Sequence, residues 1–147
     1  MSVLATKALG EVEIAPEDVL RFPDGLFGFP DAVEFAVLAE KGDSPYLWLQ
    51  STQDANQAFI IIDPELFITD YKPQVAPGDL EPLQVKAIED CKLFVIVTIP
   101  EKNPENMTAN LQGPVLLNAK QQIGRQVISH HSRHHVRVKI LQQVEED

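Results

Sequence analysis

Short apolar runs, broken by Pro, Gly, Asn and Asp roughly every ten residues, limit this chain to folds built from strands and turns. Alternating strand and helix units would need longer segments of helical periodicity than the sequence contains. We therefore predict a mainly β fold: a single antiparallel β-barrel-like domain over residues 1–147 with a few short helical turns. Residues 142–147 form a charged end without a second apolar row, and we expect them to fray.

Two patterns predict the individual strands. Where apolar and polar residues alternate, as in GEVEI, one face of the strand should be exposed to solvent. Where alternation is absent, as in LFVIVTI, both faces should be buried, and AFIIID should be central for the same reason. Strands are predicted at residues 10–14, 18–22, 34–38, 46–51, 58–63, 93–99, 107–112, 114–118, 125–129 and 136–141.

One helical turn is predicted at DPELF. Asp63 can accept hydrogen bonds from the free amides at its start, and Pro64 has its φ already fixed for the first helical position. Glu65 then faces the positive end of the peptide dipoles. Residues 72–82 are rich in proline, so we expect them to cross an edge of the sheet rather than form a central strand.

The charge balance restricts the classes of partner. A net charge of −10 opposes direct nucleic-acid binding, which needs an excess of Lys and Arg to neutralise phosphates. An acidic surface suits a basic protein partner or simply keeps the protein dispersed. The single cysteine excludes an intrachain disulfide, and no apolar run is long enough to span a membrane. With no signal-peptide pattern at the start, these features favour a cytoplasmic protein.

The stretch FPDGLFGFP, residues 22–30, has the glycine content of a phosphate-binding loop. Such a loop places backbone N–H groups at a helix start and usually ends in a Lys or a hydroxyl. Here Phe and Leu fill the positions between Gly25 and Gly28, and no Lys or Ser follows. We predict a corner, with turn chemistry at Pro23 and Gly25 and with the phenylalanines plugging the end of the domain.

All four histidines lie in HHSRHH, which invites a metal-binding hypothesis. On an extended backbone His131 and His135 would share one face, and His130 and His134 the other. Glu145, Glu146 and Asp147 could approach them. A solvated loop that gains charge below about pH 6.5 is the simpler interpretation. A small β-barrel that binds a ligand or a metal, or acts as an enzyme through these histidines, stays open as the alternative.

No set of residues assembles a nucleophile, a base and an oxyanion site, so we predict no enzymatic activity and no cofactor. Cys91 follows acidic residues and precedes a buried strand, which should raise the pKa of its thiol. Asp63 and Asp70 are better explained as a cap and a turn residue than as an acid and base pair. Trp48 lies in an apolar strand and is expected in the core.

The spaced motifs FP-x-GL-x-GF, LQS and DP-x-x-F-x-x-DY resemble those of the flagellar assembly factor FliW family. The similarity continues through LFVIVTIP and MTANLQGPVLLNAKQQIGRQVI, and so covers nearly the whole chain. The C-terminal part departs from the family pattern at Ser129, His134, Arg137 and Val138. The matching residues are Phe22, Pro23, Gly25, Leu26, Gly28, Phe29, Leu49, Gln50, Ser51, Asp63, Pro64, Phe67, Asp70 and Tyr71.

The resemblance implies a protein that acts by contact with other proteins. Family members bind flagellin and the RNA-binding translational regulator CsrA, and the two partners compete. Flagellin would then free CsrA to repress flagellin translation, with no direct contact to nucleic acid or membrane. We expect the motif residues to be mainly structural. The residues expected to contact partners are Asp70, Tyr71, Asp79, Asn110, Gln112 and Asn118.

Overall fold

The computed structural model describes residues 1–40 and 42–140. It confirms the mainly β fold with short helical turns; residues 142–147, predicted to fray, lie outside the described residues. The strands are β1 (Ser2–Thr6), β2 (Gly10–Ile14), β3 (Val19–Arg21), β4 (Glu34–Ala39), β5 (Leu47–Ser51), β6 (Ala58–Ile62), β7 (Lys92–Thr98), β8 (Thr108–Ala109), β9 (Val115–Asn118), β10 (Ile123–Gln126) and β11 (Val138–Lys139). An α-helix, α1, spans Pro77–Leu80.

Strands β3 to β7, with β9 and β10, close into a barrel. The first five pair antiparallel in chain order, residues 92–94 of β7 then pair with β9, and β9 forms a hairpin with β10. The seam is a parallel contact in which Ile123 of β10 lies opposite Arg21 of β3. The Arg21 N–H donates to the Gln122 carbonyl across this seam at 2.9 Å. Closure removes the exposed edges that an open sheet would present.

The barrel interior is filled by residues that alternate along the strands, as the period-2 pattern requires. Phe22 and Phe35 are fully buried there, and their rings meet edge to face at 5.2 Å. Gly124 lies against the Phe22 ring so closely that a Cβ at this position would overlap it. The other buried members of this cluster are Leu20, Leu26, Ala32, Leu49, Ile61, Val115 and Leu117.

A second layer covers the outside of β6 and β7. The far end of β7 leaves β9 and pairs instead with β8 through Val97 and Thr98, and β11 pairs with β8. The cluster beneath this layer comprises Ile62, Phe67, Tyr71, Val95, Val97, Ala109, Leu111 and Ile140. β7 is therefore shared between the barrel and the outer layer.

Several strand predictions needed correction. β1 was not predicted, although it forms a hairpin with β2 that packs Leu4 and Ile14 on the outside of β4. β8 and β11 are shorter than the alternation suggested, and β10 begins two residues earlier than expected. β7 is not buried on both faces, because Phe94 and Ile96 are half-buried. Phe94 and Ile96 pack against the barrel cluster but stay partly exposed, whereas Val95 and Val97 are buried in the outer cluster.

The predicted helical turn at DPELF is confirmed. It is a 3-10 turn over Pro64–Leu66, and the Asp63 carboxylate accepts the Glu65 N–H at 3.0 Å. Residues 72–82 form no strand, as expected, but they contain α1, which was not predicted. Proline suits the start of α1 because the first helical position needs no N–H donor, and the Asp79 carboxylate accepts the Ala76 N–H.

Candidate functional site

The stretch FPDGLFGFP folds into two successive turns, and no helix begins there. The Gly25 N–H donates to the Phe22 carbonyl at 2.8 Å, which closes the first turn around Pro23. Leu26 and Phe29 then exchange backbone hydrogen bonds of 3.1 and 2.7 Å around Gly28. Both glycines have positive φ, at 65° and 83°. The predicted corner is therefore confirmed, and the N–H groups of Gly25, Leu26 and Phe29 are used within the turns.

The phenylalanines of this corner do not all plug the domain, as had been expected. Phe22 is fully buried, but Phe27 is 50% exposed and Phe29 is 44% exposed. Phe29 packs edge to face on Phe59 of β6 with ring centroids 5.0 Å apart. Phe27 lies at the tip of the second turn. The chain reverses direction there, so the Phe27 side chain does not reach the core. The corner thus displays aromatic surface.

These two rings line an apolar groove on the surface of the domain. It consists of two adjoining cavities of about 490 and 260 Å³ that share Phe27, Asn110 and Val136. Ile128 and Val136, which are 47% and 52% exposed, form the opposite wall. We call this surface the apolar groove and define it by Phe27, Phe29, Ile60, Ile96, Ile128 and Val136.

Gln126 lines the apolar groove and bonds to two segments that border it. Its side-chain oxygen accepts the Phe27 N–H at 2.9 Å, and its side-chain nitrogen donates to the Gly113 carbonyl at 2.9 Å. One buried amide thereby joins the corner to the loop before β9. Arg137 lines the same groove and supplies the positive charge among its lining residues. The surface therefore presents exposed apolar side chains in a groove, as a docking site for an amphipathic helix requires.

The residues predicted to contact partners do not form one surface. Asn110 and Gln112 lie on the apolar groove. Asp70 is on a separate exposed turn with φ 64°, paired with Lys72 at 3.4 Å, which confirms its assignment as a turn residue. Asp79 faces Arg125 at 3.9 Å. For these four residues the contact role stays a prediction.

Tyr71 and Asn118, the other two residues expected to contact partners, have buried side chains, and their contact role also stays a prediction. Tyr71 is 4% exposed, and its hydroxyl donates to the Leu111 carbonyl. Asn118 is 7% exposed, and its amide donates to the Leu83 carbonyl at 2.7 Å. Both side chains donate to backbone carbonyls of neighbouring loops, so each buried polar group has the hydrogen-bond partner that burial requires.

Replacing Tyr71 by Phe should lower the free energy of unfolding by about 1.5 kcal/mol, because the buried Leu111 carbonyl loses its donor. Urea denaturation of the two proteins measures this change. Tyr46→Phe is the matched control: the Tyr46 hydroxyl is half-buried and donates to the weak acceptor Met107 Sδ at 3.0 Å. A loss at Tyr71 no larger than at Tyr46 would contradict this account.

The histidine-rich segment is neither extended nor simply a solvated loop. A turn closed by the His134 N–H and the His131 carbonyl (3.0 Å) stacks the two imidazoles at 4.4 Å, so the predicted split of faces is wrong. His134 is buried and its Nδ1 lies 2.6 Å from the Ser129 hydroxyl. Burial and then the neighbouring His131 and His135 lower the pKa of His134.

A metal centre at this segment finds no support in the described part of the chain. Across residues 1–40 and 42–140, no three His, Cys, Asp or Glu side chains converge as ligands. The Nδ1 atom of His131 already accepts the Arg133 N–H at 3.1 Å, and that of His134 bonds Ser129. Glu145, Glu146 and Asp147, which had been considered as neighbours, lie outside the described residues.

Two other predicted candidates are placed by the structure. Burial, followed by the nearby Asp90 carboxylate, raises the pKa of the Cys91 thiol, as the sequence predicted. Trp48 was expected in the core but is half-buried: its ring lines the apolar groove and its Nε1 donates to Glu40 at 2.9 Å. An apolar strand with one solvent-facing side explains the difference, since Leu49 fills the interior.

Sequence reasoning named Asn110 and Gln112 but missed the apolar residues of the groove. Phe27, Phe29, Ile128 and Val136 are apolar residues that would ordinarily be assigned to a core. The sequence did contain a signal for the exposure of Phe27. This residue lies at a central position of a turn, where side chains point outward. Ile128 and Val136 gave no such signal, because their exposure depends on the irregular path between β10 and β11.

Comparison with known proteins connects this architecture to a family. The family described as FliW protein matches residues 3–140. The chain is 44% identical to the flagellar assembly factor FliW of Leptospira biflexa, over 99% of this chain and 96% of that protein. It is 40% identical to the FliW of Bdellovibrio bacteriovorus, over 86% of this chain and 71% of that protein.

A solved structure agrees with these relatives. The crystal structure of the flagellar assembly factor FliW superposes with a TM-score of 0.84 at 31% identity, covering 95% of this chain and 96% of that one. Among the described residues, no helix is both long and apolar enough to cross a membrane. The sequence, the barrel and the comparisons agree, and the chain belongs to the FliW family of flagellar assembly factors.

Proposed function

We propose that this protein acts without catalysis in the cytoplasm, by binding flagellin and the translational regulator CsrA in competition. The exposed apolar groove is the observation that carries the proposal. Phe27 and Val136 expose half of their surface on its two walls. Isolated apolar residues on a surface are ordinary, but a contiguous set around a groove indicates a partner.

The apolar groove suits a helical partner in shape and chemistry. An amphipathic helix buries side chains at successive turns, and a groove of about 490 Å³ continuous with one of about 260 Å³ offers such positions. The resemblance described above implies that the partner-facing ends of flagellin are amphipathic helices. We therefore assign flagellin to the apolar groove.

The charge of the protein supports a separate, basic partner. The net charge is −10, and ion pairs among the described residues engage the carboxylates of only Asp24, Asp70 and Asp79. The remaining negative charge attracts a basic RNA-binding protein and repels RNA itself. Steering of this kind falls off beyond about 8 Å at physiological salt, so the contact must bring opposite charges close together.

Titration of the purified protein against flagellin and against CsrA, singly and then together, tests this function. We expect each partner to bind alone and flagellin to displace CsrA. The CsrA association rate should fall as NaCl is raised, because charge drives that encounter, whereas flagellin binding should change less. If neither partner binds, or if the two bind together without mutual effect, the proposed function is wrong.

A further inference from the structure

The side chains of Ser129 and His134 form a buried hydrogen-bonded link, which we call the latch. Ser129 is 1% exposed and His134 is 8% exposed, and Oγ and Nδ1 are 2.6 Å apart. The His134 ring lies between Tyr71 and His131, with centroids 4.4 Å from each. The latch therefore sits inside the contact between the C-terminal segment and the rest of the domain.

The donor in the latch is determined by the other bonds of Ser129. Its Oγ accepts the Gln74 N–H at 3.1 Å and lies 3.4 Å from the His131 N–H, so its lone pairs face these amides. The hydroxyl hydrogen is left for His134 Nδ1, since a serine hydroxyl carries a single donor. The latch consequently requires an imidazole that is unprotonated at Nδ1. Adding a proton there would replace a hydrogen bond by two donors facing each other.

The latch holds one wall of the apolar groove. The Ser129 N–H donates to the Gln112 carbonyl at 2.7 Å, and the Leu111 N–H donates to the His135 carbonyl at 2.9 Å. Ile128 precedes Ser129 and Val136 follows His135, and both line the groove. Val136 is two peptide units from His134, and Ile128 is one peptide unit from Ser129, the hydrogen-bond partner of His134. A change at His134 therefore reaches both exposed apolar residues over a short path.

The charged groups around the latch do not favour protonation of His134. His131 and His135 are its titratable neighbours on the same segment, and each would repel a second cation. Tyr71 stays neutral because burial raises its pKa far above the physiological range. Next to Tyr71, Asp70 pairs with Lys72 rather than with a histidine. The 72–76 segment and the 110–112 loop approach through backbone amides and carbonyls of uncharged residues.

We propose that the latch is a pH-sensitive element: protonation of His134 separates it from Ser129, loosens residues 128–137 and weakens binding at the apolar groove. The part that concerns partner binding rests on the proposed function. The direction follows from linkage, since the pKa of His134 is lower in the folded than in the unfolded state. The contribution of neutral His134 to the free energy of unfolding is complete above about pH 6.5, the ordinary pKa of histidine. It is lost as the pH falls toward and through the lower pKa that His134 has in the folded state.

Hydrogen exchange of the full chain at pH 7.5 and pH 5.5, corrected for the intrinsic pH dependence of amide exchange, tests the latch directly. We expect the protection of the Leu111 and Ser129 amides to fall several-fold, and by no more than about tenfold, at the lower pH, since one histidine with an ordinary pKa of about 6.5 can supply no more at pH 5.5, while β4 and β5 stay protected. His134→Asn keeps an acceptor near the Nδ1 position but cannot take up a proton, so its protection should not change between the two values. Ser129→Ala should show low protection at both.

The proposal is wrong if protection in the natural protein is the same at both pH values. It is also wrong if His134→Asn loses as much protection as the natural protein, because other groups would then be responsible. Flagellin binding measured in parallel should weaken at pH 5.5 in the natural protein more than in His134→Asn. If flagellin fails to bind the natural protein at pH 7.5, the proposed function fails, but the exchange result still decides the latch.

Discussion

Gly25→Ala is expected to lower the free energy of unfolding by about 3 kcal/mol, a large share of the stability of a domain this size. Two costs add up. A side chain at φ 65° costs about 1 kcal/mol or more, because L residues disfavour the left-handed region. A Cβ here would also overlap the Phe29 carbonyl and Pro30 backbone, which cannot move without opening the second turn.

Gly28→Ala separates these two costs. Gly28 has φ 83°, but a Cβ there would meet no atom within 4 Å, so only the conformational cost of about 1 kcal/mol applies. Chemical denaturation of the two variants beside the natural protein gives the comparison. Equal losses at Gly25 and Gly28 would show that the close approach of the two turns has no energetic weight.

Phe27→Asp is expected to weaken flagellin binding at least about 30-fold, which corresponds to a hot-spot loss of about 2 kcal/mol. The substitution removes an aromatic side chain from the centre of the apolar groove and leaves a charge to be desolvated by the partner. The fold should persist, because Phe27 is half exposed and its turn is held by backbone bonds and by Gln126. Isothermal titration calorimetry measures the binding and circular dichroism the fold.

Leu66→Asp is the matched control for this prediction. Leu66 is 58% exposed, similar to Phe27 at 50%, but it lies on the 3-10 turn after β6 and does not line the groove. We expect its flagellin affinity to stay within about twofold of the natural protein, since the surface substitution touches no proposed contact. Equal weakening by both variants would place flagellin binding elsewhere or make it a general effect of added negative charge.

Most of the strands could be predicted from the sequence because they carry strong local signals. Glu11 and Glu13 alternate with Val12 and Ile14, and both glutamates are exposed in β2 as expected. The cap at Asp63 was equally readable, since the side chain and the amide it binds are two residues apart. Signals of this kind involve neighbours in the chain and need no knowledge of the tertiary structure.

The apolar groove and the latch could not be predicted in the same way. Phe22 and Phe27 have identical side chains five positions apart, yet one is buried and the other half exposed. The direction of each ring is set by where the turn at Gly25 places the chain, which depends on contacts with distant strands. His134 meets Tyr71, a residue from another part of the chain, and the sequence alone had suggested a wet loop.

The seam between β3 and β10 sets a limit on when the molecule can reach its native state. Ile123 and Arg21 are partners about a hundred residues apart, so the barrel cannot close during synthesis before β10 has left the ribosome. Long-range pairing of this kind also slows folding, because the entropy of a large loop is lost before its contacts form. Until then Phe22, the ring that will cover Gly124, faces water, and the nascent chain is open to aggregation or to capture by a chaperone.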